Sequence, residues 1–197
     1  MKKLVIAVLA VLFIAPAAMA NNWGLGVKLG AGENDPKTLK EEHSKNGGEL
    51  DKNYGYLGLE AFHEWTLDNE ANKLGLKAGL DVYGENTLKV GTSKFEETTY
   101  SFPISVYYKR DNGVKNISWF AGAGATILHS KIEAGENSIR KTKVFPHVTV
   151  GAEYRFTRVF ALGLDARYNF SAKVKKEGVV LSDRSGFGAA LTGRFYF

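Results

Sequence analysis

The stretch FALGLDARYNF, residues 160–170, decides the fold. Every second residue in it is apolar or aromatic: Phe160, Leu162, Leu164, Ala166, Tyr168 and Phe170. The residues between them include the small, polar or charged Gly163, Asp165, Arg167 and Asn169. Because successive side chains of a β-strand point to opposite faces, this alternation predicts a strand with one apolar and one mostly polar face.

The same alternation recurs in the rest of the chain. The further segments cover residues 23–31, 54–66, 74–82, 99–109, 117–127, 144–156 and 187–197. An even number of strands of about ten residues is the signature of a membrane-spanning barrel. The sequence therefore predicts an all-β fold, an eight-stranded antiparallel up-and-down transmembrane β-barrel. A soluble β-sandwich or lipocalin-like barrel is the alternative, but eight strands enclose a space too narrow for eight rows of large apolar side chains.

The N-terminus has the layout of a secretory signal peptide. Lys2 and Lys3 precede an apolar run over residues 4–14, and Ala18-Met19-Ala20 supplies small residues for cleavage. That run is shorter than the roughly 20 residues that a helix needs to cross hydrocarbon, which argues against a permanent anchor helix. We expect a signal peptide over residues 1–20 and a barrel domain over residues 21–197.

Composition excludes several functions. Without Lys2 and Lys3 the chain keeps 24 basic and 21 acidic residues, and this net charge of +3 is too mild to indicate nucleic-acid binding. Cysteine is absent, and no two of the four histidines have a short metal-ligand spacing. We expect no catalytic, cofactor or metal site.

Connection lengths predict how the barrel sits in a membrane. Long connections (32–53, 84–98, 129–143 and 171–185) alternate with short ones (67–73, 110–115 and 157–158). Outer-membrane barrels have short periplasmic turns and long external loops, so both termini are expected in the periplasm. Aromatic residues beside the short connections would form a girdle at the periplasmic interface: Trp23, Trp65, Tyr108, Trp119, Phe156, Phe160 and Phe197.

The inward face is expected to hold a balanced set of charges. These are Lys28, Lys77, Lys109, Arg155, Arg167 and Arg194, against Glu60, Glu64, Asp81, Glu153 and Asp165. Charges in a narrow lumen are costly unless paired, so we predict an ion-pair network that fills the barrel, including a contact between Glu64 and Lys77. The alternative is that the same charges line a gated conduit through the barrel.

The signal peptide, the eight segments and the terminal Arg194-Phe195-Tyr196-Phe197 resemble the small outer-membrane barrels of the OmpA, OmpX and opacity-protein kind, over the barrel domain only. The resemblance implies that the outer-membrane assembly machinery recognises an aromatic C-terminus. Leu191, Phe195 and Phe197 occupy matching positions, although Gly193 departs from the apolar alternation.

This resemblance implies a monomeric, non-enzymatic protein with a structural or surface-interaction role, in envelope integrity or adhesion, through its external loops. Expected partners are outer-membrane lipid, including lipopolysaccharide phosphates that Lys173, Lys175 and Lys176 would attract. A small-molecule or lipid-binding conduit is the first alternative. A lipid-modifying enzyme is the second, because lipid A deacylases are small barrels with a Ser/His site. His129 and Ser130 are adjacent, however, and adjacent strand residues face opposite sides.

Overall fold

The computed structural model describes residues 23–33, 53–67, 71–84, 86–90, 93–111, 116–134, 137–176 and 179–197. The predicted signal peptide, most of the first long connection and most of the short connection 110–115 lie outside these residues. The described residues form the strands β1 (Trp23–Glu33), β2 (Asn53–Thr66), β3 (Asn72–Tyr83), β4 (Asn86–Val90), β5 (Ser93–Asp111), β6 (Ile117–Ala134), β7 (Asn137–Arg155), β8 (Phe160–Asn169), β9 (Lys173–Lys176), β10 (Val179–Asp183) and β11 (Gly186–Tyr196). Among them there is no helix that could cross a membrane.

The strands close into an eight-stranded antiparallel barrel, and this confirms the predicted fold. The order around the barrel is β1-β2-β3-β5-β6-β7-β8-β11, and β11 returns to β1. That closing seam extends from Gly24 opposite Tyr196 to Gly32 opposite Gly188, and the Phe197 amide donates to the Trp23 carbonyl at 2.9 Å. β4 pairs only with β5, and β9 and β10 form a separate two-stranded hairpin.

The apolar face of each strand lies on the outside of the barrel. Leu29, Leu57 and Leu164, in three different strands, are each 62 % exposed. Charged residues between them in sequence, such as Glu60 and Asp165, are buried inside. This distribution is the reverse of a water-soluble barrel, in which the apolar face fills the interior.

The three predicted long loops that fall mostly within the described residues contain strand. β6 and β7 pair as far as Ala134 opposite Asn137, so residues 129–143 are mostly a long hairpin. Residues 84–98 contain β4 and the start of β5, and residues 171–185 contain β9 and β10. The prediction was wrong because it required an apolar face, whereas strands that extend beyond the apolar wall can be polar on both faces and still pair.

Glycines on the inner face make room for large side chains on neighbouring strands. A Cβ atom on Gly30 would lie 2.2 Å from Tyr56 Cζ, and one on Gly75 would lie 2.2 Å from Tyr107 Cζ. Both tyrosines are buried. The lumen can therefore hold aromatic rings as well as charges.

Candidate functional site

Arg194, an inward-facing residue of β11, organises the centre of the lumen. Its Nε donates a hydrogen bond to Glu60 of β2 at 2.8 Å, and its Nη2 donates to Asp165 of β8 at 2.6 and 2.9 Å. Its Nη1 donates to Glu153 of β7 at 3.3 Å. The guanidinium is buried among these three carboxylates. One cation therefore ties the closing strand to three other strands by charge-assisted hydrogen bonds.

Toward the end of the barrel that carries the short turns and both termini, here the short-turn end, Lys109 of β5 joins two carboxylates. Its Nζ donates to Glu64 at 3.0 Å and to the Tyr196 hydroxyl at 2.8 Å, and it also donates to Glu153. The Tyr196 hydroxyl donates to Glu153 at 2.7 Å. Two more cations border this cluster: Lys73 at 3.7 Å from Glu64, and Arg155 at 3.7 Å from Glu153.

Toward the opposite end, here the long-hairpin end, Asp81 of β3 is the centre of a third cluster. This buried carboxylate lies 2.9 Å from Lys28 Nζ and 2.9 Å from Arg167 Nη1. Lys28 Nζ also lies 3.8 Å from Glu60, which links this cluster to Arg194, and Lys77 Nζ lies 3.6 Å from Asp165 beside Arg194. The three clusters form one continuous network across the barrel.

The structure brings all eleven predicted luminal residues into this network, but the predicted contact between Glu64 and Lys77 is wrong. The register places Gly75 opposite Glu64 and Phe62 opposite Lys77. Glu64 instead reaches Lys109 on β5, and Lys77 reaches Asp165 across the lumen. The sequence prediction also omits Lys73. It would have included this residue if the alternation of the third strand had been continued by one more inward position.

Aromatic rings occupy much of the remaining interior. Lys77 Nζ lies 4.5 Å from the centre of the Phe120 ring, and the Arg155 guanidinium lies 4.0 Å from the centre of the Tyr196 ring. One cavity of about 30 Å³ lies beside His147, and another of about 10 Å³ lies beside Phe120. Cavities of this size hold single water molecules, whereas ligand pockets are typically about 300–1,000 Å³.

A segment that we call the cap, residues 170–176 and 179–185, packs over the long-hairpin end of the lumen. The chain turns at Ser171, whose φ of 54° is left-handed, and the Ala172 amide then donates to Ser185 Oγ at 2.8 Å. Ala172 and Val174 are buried in one apolar cluster with residues of the barrel wall: Tyr54, Tyr56, Tyr83, Leu128, Phe145 and Ala190. The cap thus packs into the barrel mouth.

Arg184 anchors the cap to the barrel wall. Its Nη2 donates to Glu97 of β5 at 3.3 Å, and its guanidinium lies 5.0 Å and 4.4 Å from the ring centres of Tyr54 and Tyr83. The residue is only 1 % exposed. This anchor was not predicted, because both charges fall in segments that the connection lengths assigned to long external loops.

His129 and Ser130 do not form a catalytic pair. His129 faces outward, where its Nδ1 lies 2.9 Å from Thr142 Oγ1, while Ser130 faces inward and lies 3.0 Å from Thr99 Oγ1. His147 is buried in the lumen between Ser105 and Thr126. Within the part of the chain that the structure describes, no three His, Cys, Asp or Glu residues are grouped as a metal site would require.

A family model described as the outer membrane protein beta-barrel domain matches residues 5–195. The chain belongs to this family. The solved structures that resemble it include Ail, the attachment invasion locus protein of Yersinia pestis (TM-score 0.55, 14 % identity, 89 % of this chain and 95 % of Ail). Neisserial surface protein A is similar at TM-score 0.55 and 13 % identity, over 90 % of this chain and 98 % of that protein. The N-terminal barrel of Pseudomonas aeruginosa OprF is similar at TM-score 0.50 and 10 % identity, over 88 % and 97 %. A search of curated proteins found no match.

In an outer-membrane barrel the exposed apolar wall faces lipid, and aromatic side chains mark the interfaces. The seven predicted girdle residues all lie at the short-turn end. His63 lies between two of them, with its ring tilted against Trp23 at 4.6 Å between centres and edge-to-face with Trp65 at 4.4 Å. Further contacts join Tyr108 to Trp119 at 5.8 Å and Phe156 to Phe160 at 5.9 Å.

A second aromatic belt, which the sequence analysis missed, lies at the long-hairpin end. Its outward residues are Tyr100, Phe102, His129, Tyr168, Phe170 and Phe187. Trp119 and His129 mark the two belts on β6, about 33 Å apart along the strand at roughly 3.3 Å per residue. With a strand tilt of about 40° this separation becomes about 25 Å, the usual height of the apolar band.

The residues of the expected assembly signal lie on the outer face of β11 and just beyond it. Leu191, Phe195 and Phe197 are exposed there, and the Phe195 ring centre lies 5.2 Å from that of Phe160. They form one outward column at the seam where the barrel closes. Recognition of this column by the assembly machinery stays a prediction.

Proposed function

We propose that this protein is a monomeric, non-enzymatic outer-membrane barrel with a structural or surface-interaction role, in envelope integrity or adhesion. It would be exported with cleavage after Ala20, keep both termini in the periplasm and present its long-hairpin end to the outside. The observation that carries the proposal is the ion-pair network that crosses the lumen between the described strands, where the cavities beside His147 and Phe120 measure only about 30 Å³ and 10 Å³.

A filled lumen argues against a conduit for solutes. To open a path, a solute would have to separate buried ion pairs such as those of Arg194, and breaking a buried pair typically costs about 3–5 kcal/mol. It would also have to displace the cap, whose Arg184 is paired with Glu97. The barrel wall therefore supports a role as a rigid membrane anchor.

The paired strands that extend beyond the second belt supply a surface for interaction. β5, β6 and β7 continue past Tyr100, His129 and Thr142, and β4 adds an edge to this sheet. A paired sheet is a more rigid platform for contacts than a solvated loop. Ail, whose name refers to attachment, has a similar fold, and this supports adhesion as the form of the surface role.

Conductance tests the first part of this proposal. The refolded protein in a planar lipid bilayer should show no sustained single-channel current at moderate voltage. A stable current carried by the intact protein would favour the conduit instead. Lipid A extracted from expressing cells should keep its mass, and loss of an acyl chain would favour the enzyme.

Orientation can be tested with single cysteines, because the chain has none of its own. Ser138 of β7 and Arg158 of a short turn are both exposed and lie at opposite ends. A membrane-impermeant maleimide should label S138C on intact cells and label R158C only after the outer membrane is opened. The reverse result would invert the proposed orientation. N-terminal sequencing of the mature protein should begin at Asn21.

The surface role predicts a specific loss of function. Replacing residues 130–141 with an Asn-Gly turn would end β6 and β7 near the second belt and keep the barrel. Cells that express this variant should lose attachment or detergent resistance relative to cells with the intact protein. If neither property changes although the variant reaches the outer membrane, the surface hypothesis is wrong.

A further inference from the structure

Lys77, an inward-facing residue of β3, is a luminal cation without a close acceptor. Its Nζ lies 3.6 Å from Asp165 Oδ2, which is too far for a hydrogen bond. The same Nζ lies over two aromatic rings, 4.5 Å from the centre of Phe120 and 5.6 Å from that of Tyr107. The side chain is only 13 % exposed. A largely buried ammonium group, which has three N–H donors, therefore lacks a hydrogen-bond acceptor among the residues that the structure describes.

The Lys77 ammonium group borders the larger of the two cavities described above, which measures about 30 Å³ and lies beside His147. Two other cations, Lys28 and Arg167, line the same cavity, and the buried Thr149 adds a hydroxyl group. A single water molecule needs about 10–15 Å³. The cavity therefore has room for one small ion that is somewhat larger than water, and its lining supplies hydrogen-bond donors.

The charges of the described residues around this cavity do not balance. Four cations meet three carboxylates there: Lys28, Lys77, Arg167 and Arg194, with Glu60, Asp81 and Asp165. Arg194 also reaches Glu153, but that carboxylate already accepts hydrogen bonds from Lys109 and Tyr196. About one positive charge is left without compensation, which is costly inside a protein. A water molecule could accept from the free donors, but it would not neutralise this charge.

We propose that Lys77 binds a small monovalent anion of the size of chloride in this cavity. The anion would accept hydrogen bonds from the Lys77 ammonium group and the Thr149 hydroxyl, and it would compensate the extra positive charge. Glu60 and Asp165 also line the cavity, so they would repel anions of higher charge, and the small volume excludes organic anions. The site goes beyond the proposed function, because it depends neither on the orientation of the barrel nor on the surface hairpin.

Urea unfolding of the refolded protein in lipid vesicles tests the proposal, with sodium chloride compared to sodium gluconate at equal ionic strength. Gluconate is too large for the cavity. An anion that binds only the folded state with a dissociation constant of about 20 mM would raise the folding equilibrium constant about tenfold in about 200 mM chloride. Lys77→Met should abolish this gain. Lys73→Met is the matched control and should keep it, because Lys73 is another inward lysine of β3 that lies 3.7 Å from Glu64 and lines neither of the two cavities.

Anomalous scattering from bromide tests the site in the intact protein, even if Lys77→Met does not fold. Crystals of protein refolded in sodium bromide should give an anomalous peak within hydrogen-bond distance of Lys77 Nζ. The absence of a peak there would overturn the proposal and indicate that water fills the cavity. Equal stability in chloride and gluconate, or a gain that Lys77→Met retains, would also overturn it. A gain that Lys73→Met loses to the same extent as Lys77→Met would indicate a general charge effect instead of a site.

Discussion

Arg194→Met should destabilise the barrel more than other single changes of a luminal cation. The substitution keeps a side chain of similar length and removes the charge that three buried carboxylates share: Glu60, Asp165 and Glu153. Removing one partner of a buried ion pair typically costs about 3–5 kcal/mol, because the other charge is left without compensation. The loss should therefore appear as a large drop in the free energy of unfolding.

The structure places the expected cost at the lower end of that range. Each of the three carboxylates keeps another cation: Lys28 at 3.8 Å from Glu60, Lys77 at 3.6 Å from Asp165, and Lys109 beside Glu153. These cations limit the uncompensated charge, and we expect a loss of about 3 kcal/mol. Arg194→Lys should recover only part of it, since an ammonium cannot reproduce the forked contact with Asp165.

Reversible urea unfolding in lipid vesicles, followed by tryptophan fluorescence, would measure these losses. Arg155→Met is the matched control, because its side chain is 30 % exposed and lies 3.7 Å from Glu153. Arg155 is only partly buried and makes one long contact with a carboxylate, so this control should lose clearly less than Arg194→Met. If Arg194→Met and Arg155→Met cost the same, Arg194 is not the centre of the network.

Three further predictions concern the wall, the cap and the network. Leu164→Lys should cost about 2–4 kcal/mol in the same unfolding assay, because Leu164 is mid-strand on the lipid-facing side; no loss would contradict the assigned face. Arg184→Met should speed proteolytic cleavage within the cap of the refolded protein, and an unchanged rate would show that Arg184 does not anchor it. A double-mutant cycle should give a coupling of about 0.5–3 kcal/mol for Glu64 with Lys109, and almost none for Glu64 with Lys77.

The barrel and the faces of its strands could be predicted because both depend on local sequence. Alternation over residues 160–170 is enough to place Leu164 outside and Asp165 inside, whatever strand lies beside them. Counting such segments then gives the strand number. The same rule failed beyond the apolar wall, where residues 129–134 and 137–143 remain in strands although neither face is apolar.

The partners of the luminal charges could not be predicted because they depend on register and strand tilt. Glu64 and Lys77 flank the same turn, yet the register leaves them two positions apart and their nearest opposite charges come from β5 and β8. The closure of the barrel determines which strands face each other across the lumen, and a local sequence pattern does not contain this information.

The contacts of the cap could not be predicted either, because they join residues that are far apart in the sequence. Arg184 and Glu97 are 87 residues apart, and each lies in a polar segment without a distinctive local pattern. What places them together is the left-handed turn at Ser171 and the apolar packing of Ala172 and Val174 in the mouth of the barrel. A polar segment between two strands can therefore be part of the barrel interior, and only the three-dimensional structure reveals whether it closes the lumen.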